Sequence, residues 1–241
     1  MRNLILIGLL LSAQFLSAQH DTSAVEVTRK PFVVQAVVPA TLLISGIVLN
    51  NSFTEKSIQK NVREKLGNDY HNGMDDYIQY VPYVEVFAGD LVGIQAKNHW
   101  FDQTKNMAIT GVMTTLVIHS LKRGVGKLRP DNSSHHSFPS GHTATAFAGA
   151  TILYNEYKDT SPLLAYNGFV FSSATGSLRI MNNRHWLSDV MAGAGIGMLV
   201  AHAVYYWQPL KNWNPFKDTK NIGFMPVYNG DELTMVATFR F

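Results

Sequence analysis

The sequence predicts an all-α protein: a bundle of about six helices, membrane-associated, ending in a short irregular or strand-like tail. Two observations lead there. Apolar segments almost free of charge alternate with short polar stretches, and the later ones are rich in Ala and Gly, which lets helices pack closely. Charged residues make up only 15% of the 241-residue chain, against about 25% in an ordinary soluble domain. The mean hydropathy of −0.01 is low for a chain wholly embedded in lipid, so a soluble helical bundle stays open beside the membrane-associated one.

Taken in order, residues 1–18 read as a secretory signal or an uncleaved anchor. Arg2 is the positive start, residues 4–11 are apolar, and Leu16-Ser17-Ala18 is a small-residue cleavage site. Either way the chain is addressed to a bacterial-type envelope. Residues 31–54 carry no charge and are long enough to span a bilayer. Residues 55–76 are polar and predict a surface helix and loop. Residues 77–95 are apolar but interrupted by Pro82, Glu85 and Asp90, which predicts a core helix and not a span. Residues 106–121 form an apolar helix ending at Lys122. Residues 143–154 form an Ala-rich helix, and residues 162–178 run apolar up to Arg179. Residues 190–207 contain Gly193, Gly195 and Gly197, which allow close helix contact, with Tyr205, Tyr206 and Trp207 as an interfacial belt. After a loop-like stretch, residues 233–241 have the composition of a strand, most simply a docked edge segment.

Several function classes drop out. There is no cysteine, so disulfides, thiolate catalysis and cysteine metal ligands are excluded. The net charge of +3 comes without a basic run or basic helix face, so nucleic acid is not an expected partner. The basic charge gathers instead in three short stretches, which points to a local anionic substrate.

The first stretch is Lys122-x6-Arg129-Pro130. Gly124 and Gly126 predict a helix end running into a loop. A guanidinium grips two phosphate oxygens at once and a lysine adds a mobile point charge. By itself the stretch is no more than the positive flank of a membrane helix, with Lys122, Arg123 and Lys127 together. The second is Pro139-Ser140-Gly141-His142. Ser140 caps a helix, Gly141 lets backbone approach a ligand, and helix N-terminal amides attract anions. His142 there can give a proton to a leaving oxygen. The third is Arg179-x5-His185-x3-Asp189. On a helix, His185 and Asp189 meet on one face, where the carboxylate fixes the tautomer and frees the other nitrogen to attack phosphorus.

In this order, over about 70 residues, the three resemble the motifs of the type 2 phosphatidic acid phosphatase superfamily, which includes bacterial acid phosphatases and vanadium haloperoxidases. The resemblance implies a helical phosphatase domain over residues 19–210, with its catalytic core at 106–207 and a tail at 211–241. It implies that Lys122, Arg129 and Arg179 bind phosphate with Ser140 and the Gly141 amide. His185 would form a phosphohistidine, oriented by Asp189, and His142 would protonate the leaving group. No metal or other cofactor would be needed, and vanadate would act as inhibitor or transition-state mimic. The implied substrate is a phosphomonoester or diphosphate, most simply on a membrane lipid, hydrolysed on the periplasmic side. A soluble periplasmic acid phosphatase is the alternative; a haloperoxidase and a non-catalytic envelope protein rank below it. Oligomeric state is left open.

Two departures stand out. The family pattern usually has a serine before the third-stretch arginine; here it is Leu178, which removes a phosphate hydrogen bond. Trp186-Leu187 follow His185 where an aromatic and a proline are common. Elsewhere, His119 and His202 are expected as core groups and His135 and His136 as loop residues. Asn182, Asn183 and Arg184 are expected in a tight loop at the site mouth, and Asp75 and Asp76 as a helix cap. The side of the membrane depends on the span count, since three crossings before Lys122 after signal cleavage would put the site in the cytoplasm.

Overall fold

The computed structural model describes residues 31–67, 69–216, 222–228 and 233–239. The signal or anchor expected at residues 1–18 lies outside them. Among the described residues the chain forms α1 (Phe32–Leu49), α2 (Phe53–Leu66), a single turn α3 (Asp75–Ile78), α4 (Val81–Leu91), α5 (Trp100–Val125), α6 (Gly141–Tyr157), α7 (Pro162–Met181) and α8 (Leu187–Trp207). A two-stranded hairpin of β1 (Ile222–Tyr228) and β2 (Leu233–Phe239) follows.

Local chemistry sets the ends that matter. Ser52 caps α2 by accepting from the Glu55 amide at 3.1 Å, and Ser140 caps α6 by accepting from the Thr143 amide. Gly126 closes α5 in the left-handed conformation, at φ 61°, which needs no Cβ. Pro162 starts α7, where its missing N–H is not needed. Asp189 accepts from the Trp186 amide at 2.9 Å and so caps α8 from within.

Helix α8 is the axis of the bundle and packs against α1, α5 and α6, while α6 also packs against α4 and α7. The glycines of α8 make this possible. A Cβ on Gly195 would sit 2.6 Å from the Pro39 carbonyl oxygen and 2.7 Å from the Leu43 amide of α1. A Cβ on Gly193 would sit 2.5 Å from the Ser140 carbonyl oxygen, and one on Gly197 would strike that of Ala144. Backbone meets backbone on two sides of α8: Gly193 and Gly197, four apart, face the start of α6, and Gly195 faces α1.

Helix α1 is apolar yet mostly exposed, with Val33, Val37, Val38, Ile44 and Val48 uncovered, and α5 exposes Val112, Met113 and Leu116. Among the described residues, α1 and α8 are the two helices long and apolar enough to cross a membrane. Helix α4 has 11 residues, about 16 Å at 1.5 Å each, too short for a hydrocarbon layer of about 30 Å.

Several expectations need correction. The stretch 55–76 is not simply surface, since Glu55 and Asp75 are each 1% exposed. Helix α5 does not stop at Lys122 but runs one turn further. His119 is exposed, because it lies on the outer face of α5, whereas His202 is buried as expected. Tyr205 is no interfacial group: it is buried and donates to Glu156 at 2.5 Å. The strand-like tail pairs antiparallel with a segment of the preceding loop, Ile222 opposite Phe239, and is not a lone edge segment.

Candidate active site

The three stretches converge because their helices end together. Lys122 lies in the last turn of α5 and donates to the His136 carbonyl at 2.6 Å. The loop carrying Arg129 is held by backbone bonds from Arg129 to Ser134 and from Ser137 to Lys127, both 2.9 Å. Arg179 lies in the last turn of α7 and is 7% exposed. Its carbonyl accepts from the amides of Arg184 at 3.1 Å and His185 at 3.2 Å, which folds residues 182–185 into a tight loop. The Ser140 amide donates to the Asp189 carbonyl at 2.9 Å and so ties the second stretch to the third. Gly141 opens α6 directly after the Ser140 cap.

His185 is 1% exposed and Asp189 is fully buried. His185 Nδ1 lies 3.4 Å from Asp189 Oδ2, long for a hydrogen bond; contacts of this kind tighten when substrate arrives. The pairing is as expected, but its geometry is not. His185 precedes the helix, with Trp186 as its cap, so the two meet across a helix start and not along a helix face.

A cavity of about 250 Å³ is lined by His71, Asp75, Asp76, Arg129, His142, Arg179, Asn182 and Arg184. A neighbouring one of about 400 Å³ is lined by His119, Lys122, Arg123, Arg129, Ser134 and His136. Arg129 borders both. The Nε groups of Arg129 and Arg179 are buried and have no protein partner, so both guanidiniums keep a free donor. Asn182 and Arg184 are at the cavity wall, as expected; His136 lines the second cavity and His135 is exposed in the same loop.

Burial pushes His185 down to about 4, with the charges of Lys122 and Arg179 adding to the fall and Asp189 opposing it. Its imidazole is therefore neutral at pH 7, with a lone pair to offer. Burial also lowers His142, and Arg179 adds to this, while Asp76 pulls the other way.

Four acidic and basic partners escape the sequence reading. Asp75 is not a cap: it binds Arg179 Nη1 at 2.5 Å and accepts from Asn182 at 3.1 Å. Asp76 sits 2.8 Å from His142 Nε2. Ligand atoms of Asp75, Asp76 and His142 lie within 4.8 Å of one another, close enough for a cation, but Asp75 is already bound by Arg179. Lys127 is no membrane flank: it is buried and lies 3.0 Å from Asp189 and 3.0 Å from Glu55. The only signal for it was a further cation within the first stretch.

Residues 103–213 match the family model of the PAP2 superfamily, and all three stretches fall inside that match. This segment is a PAP2 domain. A lipid A 1-phosphatase of Porphyromonas gingivalis is 35% identical over 154 residues, 62% of this chain and 35% of that protein. Lipid phosphate phosphatase 1 of Arabidopsis thaliana is 35% identical over 134 residues, 46% of this chain and 41% of that protein. This chain thus matches well under half the length of either relative. A transmembrane PAP2-type phosphatidylglycerolphosphate phosphatase of Bacillus subtilis has a similar fold, with a TM-score of 0.51 at 20% identity over 75% of this chain and 99% of that one. The PAP2 match begins within α5, so Glu55, Asp75 and Asp76 reach the PAP2 site from helices that lie outside it.

Proposed function

We propose that the protein is a phosphatase that hydrolyses a phosphomonoester or diphosphate of a membrane lipid through a phosphohistidine at His185. One observation carries this: a buried neutral histidine, backed by a carboxylate, feels the charges of Lys122 and Arg179, and Arg179 shares one cavity with Arg129 and His142. Lys122, Arg129 and Arg179 hold the equatorial oxygens, helped by Ser140 and the Gly141 amide. His185 Nε2 attacks phosphorus, and Asp189 steadies the imidazolium that forms. The bond to the leaving oxygen breaks, and that oxygen takes a proton from His142. His142, now neutral, takes a proton from water as the water attacks the phosphohistidine, which releases phosphate and frees His185. Vanadate, a five-coordinate mimic, is expected to compete with substrate.

The lipid part of the reading is supported by the exposed apolar faces of α1 and α5 and by the names of the two relatives. A periplasmic site is part of the proposal: after signal cleavage it requires two crossings before Lys122, α1 and α5, the latter supported by its 26-residue length and exposed apolar face and not by its hydropathy. In the test, detergent-solubilised protein is assayed for phosphate release from lipid A, phosphatidic acid, phosphatidylglycerol phosphate, undecaprenyl diphosphate and a soluble aryl phosphate, alongside membrane fractionation. Hydrolysis of at least one lipid by a membrane-bound protein is expected. Turnover of the soluble ester alone, by protein recovered in osmotic-shock fluid, sinks the lipid reading.

A pH profile follows from the two histidines. Productive free enzyme needs His185 neutral and His142 protonated, so kcat/KM should peak between about 4 and the ordinary histidine value of 6.5. Asp76 favours charged His142, so Asp76→Asn lowers the pKa of His142 further and should move the falling limb to lower pH. An unmoved limb would show that His142 is not the group being titrated.

A further inference from the structure

We propose that Glu55 is a positioning residue for this reaction: acting through Lys127, it leaves Asp189 enough free negative charge to hold His185. The inference rests on the phosphohistidine reading above.

Glu55 is fixed at the start of α2, where it accepts from the Asn51 amide at 2.6 Å. Lys127 Nζ lies 3.0 Å from its carboxylate, 3.0 Å from Asp189 Oδ1 and 2.7 Å from Ser188 Oγ. Ser188 Oγ also donates to Glu55. The side chains of Lys127, Glu55 and Asp189 are 3%, 1% and 0% exposed. Lys127 also packs 5.9 Å from the Phe138 ring centre and 5.5 Å from that of Trp186, which close the cluster to water. The two oxygens of Asp189 have separate duties. Oδ1 faces Lys127, while Oδ2 accepts from Ser137 at 2.5 Å and Trp186 at 2.9 Å and lies 3.4 Å from His185.

One buried cation therefore serves two buried carboxylates. Buried charges are tolerated when matched, and this cluster is one positive charge short. The missing charge arrives during the reaction. When the N–P bond forms at Nε2 and the leaving oxygen departs with its electron pair and the His142 proton, His185 becomes an imidazolium whose Nδ1–H faces Asp189. The cluster is then neutral. Glu55 thus favours the charged intermediate, and the transition state leading to it, over the resting enzyme. Without Glu55, Lys127 would pair fully with Asp189 and weaken its hold on His185. A plain structural ion pair would not need the second carboxylate.

The test uses Glu55→Gln, which keeps the shape and the acceptor for Asn51, together with Lys127→Met and the double variant. Glu55→Gln should lower kcat about tenfold or more with KM within about twofold, the range in which outer-shell partners act. Lys127→Met leaves two carboxylates without a cation and should lose more. The double variant again has one net negative charge and should recover activity relative to Lys127→Met. Wild-type kcat in Glu55→Gln, or no recovery in the double variant, overturns the proposal. A readout independent of turnover is the ¹⁵N spectrum of His185, assigned by its loss in His185→Gln. Glu55→Gln should shift His185 from the Nδ1–H tautomer toward a mixture, and an unchanged tautomer overturns the proposal. Full activity in His185→Ala would instead overturn the phosphohistidine reading, and the tautomer measurement then decides the role of Glu55 alone.

Discussion

His185→Ala is expected to abolish phosphate release, by about four orders of magnitude or more, because it removes the atom proposed to form the covalent bond. Binding should survive. Lys122, Arg129 and Arg179 stay in place, so a phosphate analogue should still protect the variant against heating. Below pH 6 the variant should lose less stability with falling pH than the wild type. His185 is held neutral and falls to about 4, so the unfolded chain binds more protons than the folded one between that value and 6.5. Stability of the wild type therefore drops as the pH falls through this window, and removal of the imidazole removes the drop. A dead variant with an acid-resistant fold separates loss of the nucleophile from loss of structure.

Gly193→Ala is expected to have the next largest effect. Alanine is the better helix former by about 1 kcal/mol, so propensity alone predicts a gain. The added Cβ would instead lie 2.5 Å from the Ser140 carbonyl oxygen, and backbone cannot swing aside as a side chain can. Overpacking of this kind costs about 1–3 kcal/mol. The displaced group is the Ser140 turn, which carries the Gly141 amide proposed to hold phosphate and leads into His142. A shift of about 1 Å there is enough for a hundredfold loss of rate. Gly197→Ala strikes the Ala144 carbonyl, one turn further from the site. It should destabilise comparably and reduce kcat/KM less. Equal activity loss in the two variants would mean that global loosening, not displacement of the turn, explains both.

These glycines were legible because their message is local: Gly193 and Gly197, four apart, share one helix face, and Gly195 opens the other. The three motifs were legible for the same reason, since each spacing lies within one helix end and its loop. His185 and Asp189 were paired correctly from their separation but for the wrong reason, because α8 begins only after His185. What stayed hidden reaches across the chain. Asp75 meets Arg179 from 104 positions away, and Glu55 meets Lys127 from 72. No periodicity encodes such pairs. In a helix of polar residues a buried glutamate looks like a solvated one, and two aspartates before an apolar segment look like a cap. Lys127 misled for a physical reason as well. Lysines beside an apolar helix usually mark a membrane boundary, and only the folded cluster shows two carboxylates waiting for it.

The most direct measurement of the central claim is to trap the covalent intermediate. Protein mixed with a lipid substrate labelled in the scissile phosphoryl group is quenched in alkali within one turnover, where a phosphohistidine survives and a phosphoserine does not. Label retained on the wild-type chain, mapped to His185 and absent from His185→Gln, is the result predicted. Turnover without retained label, or label that persists in His185→Gln, would contradict the account.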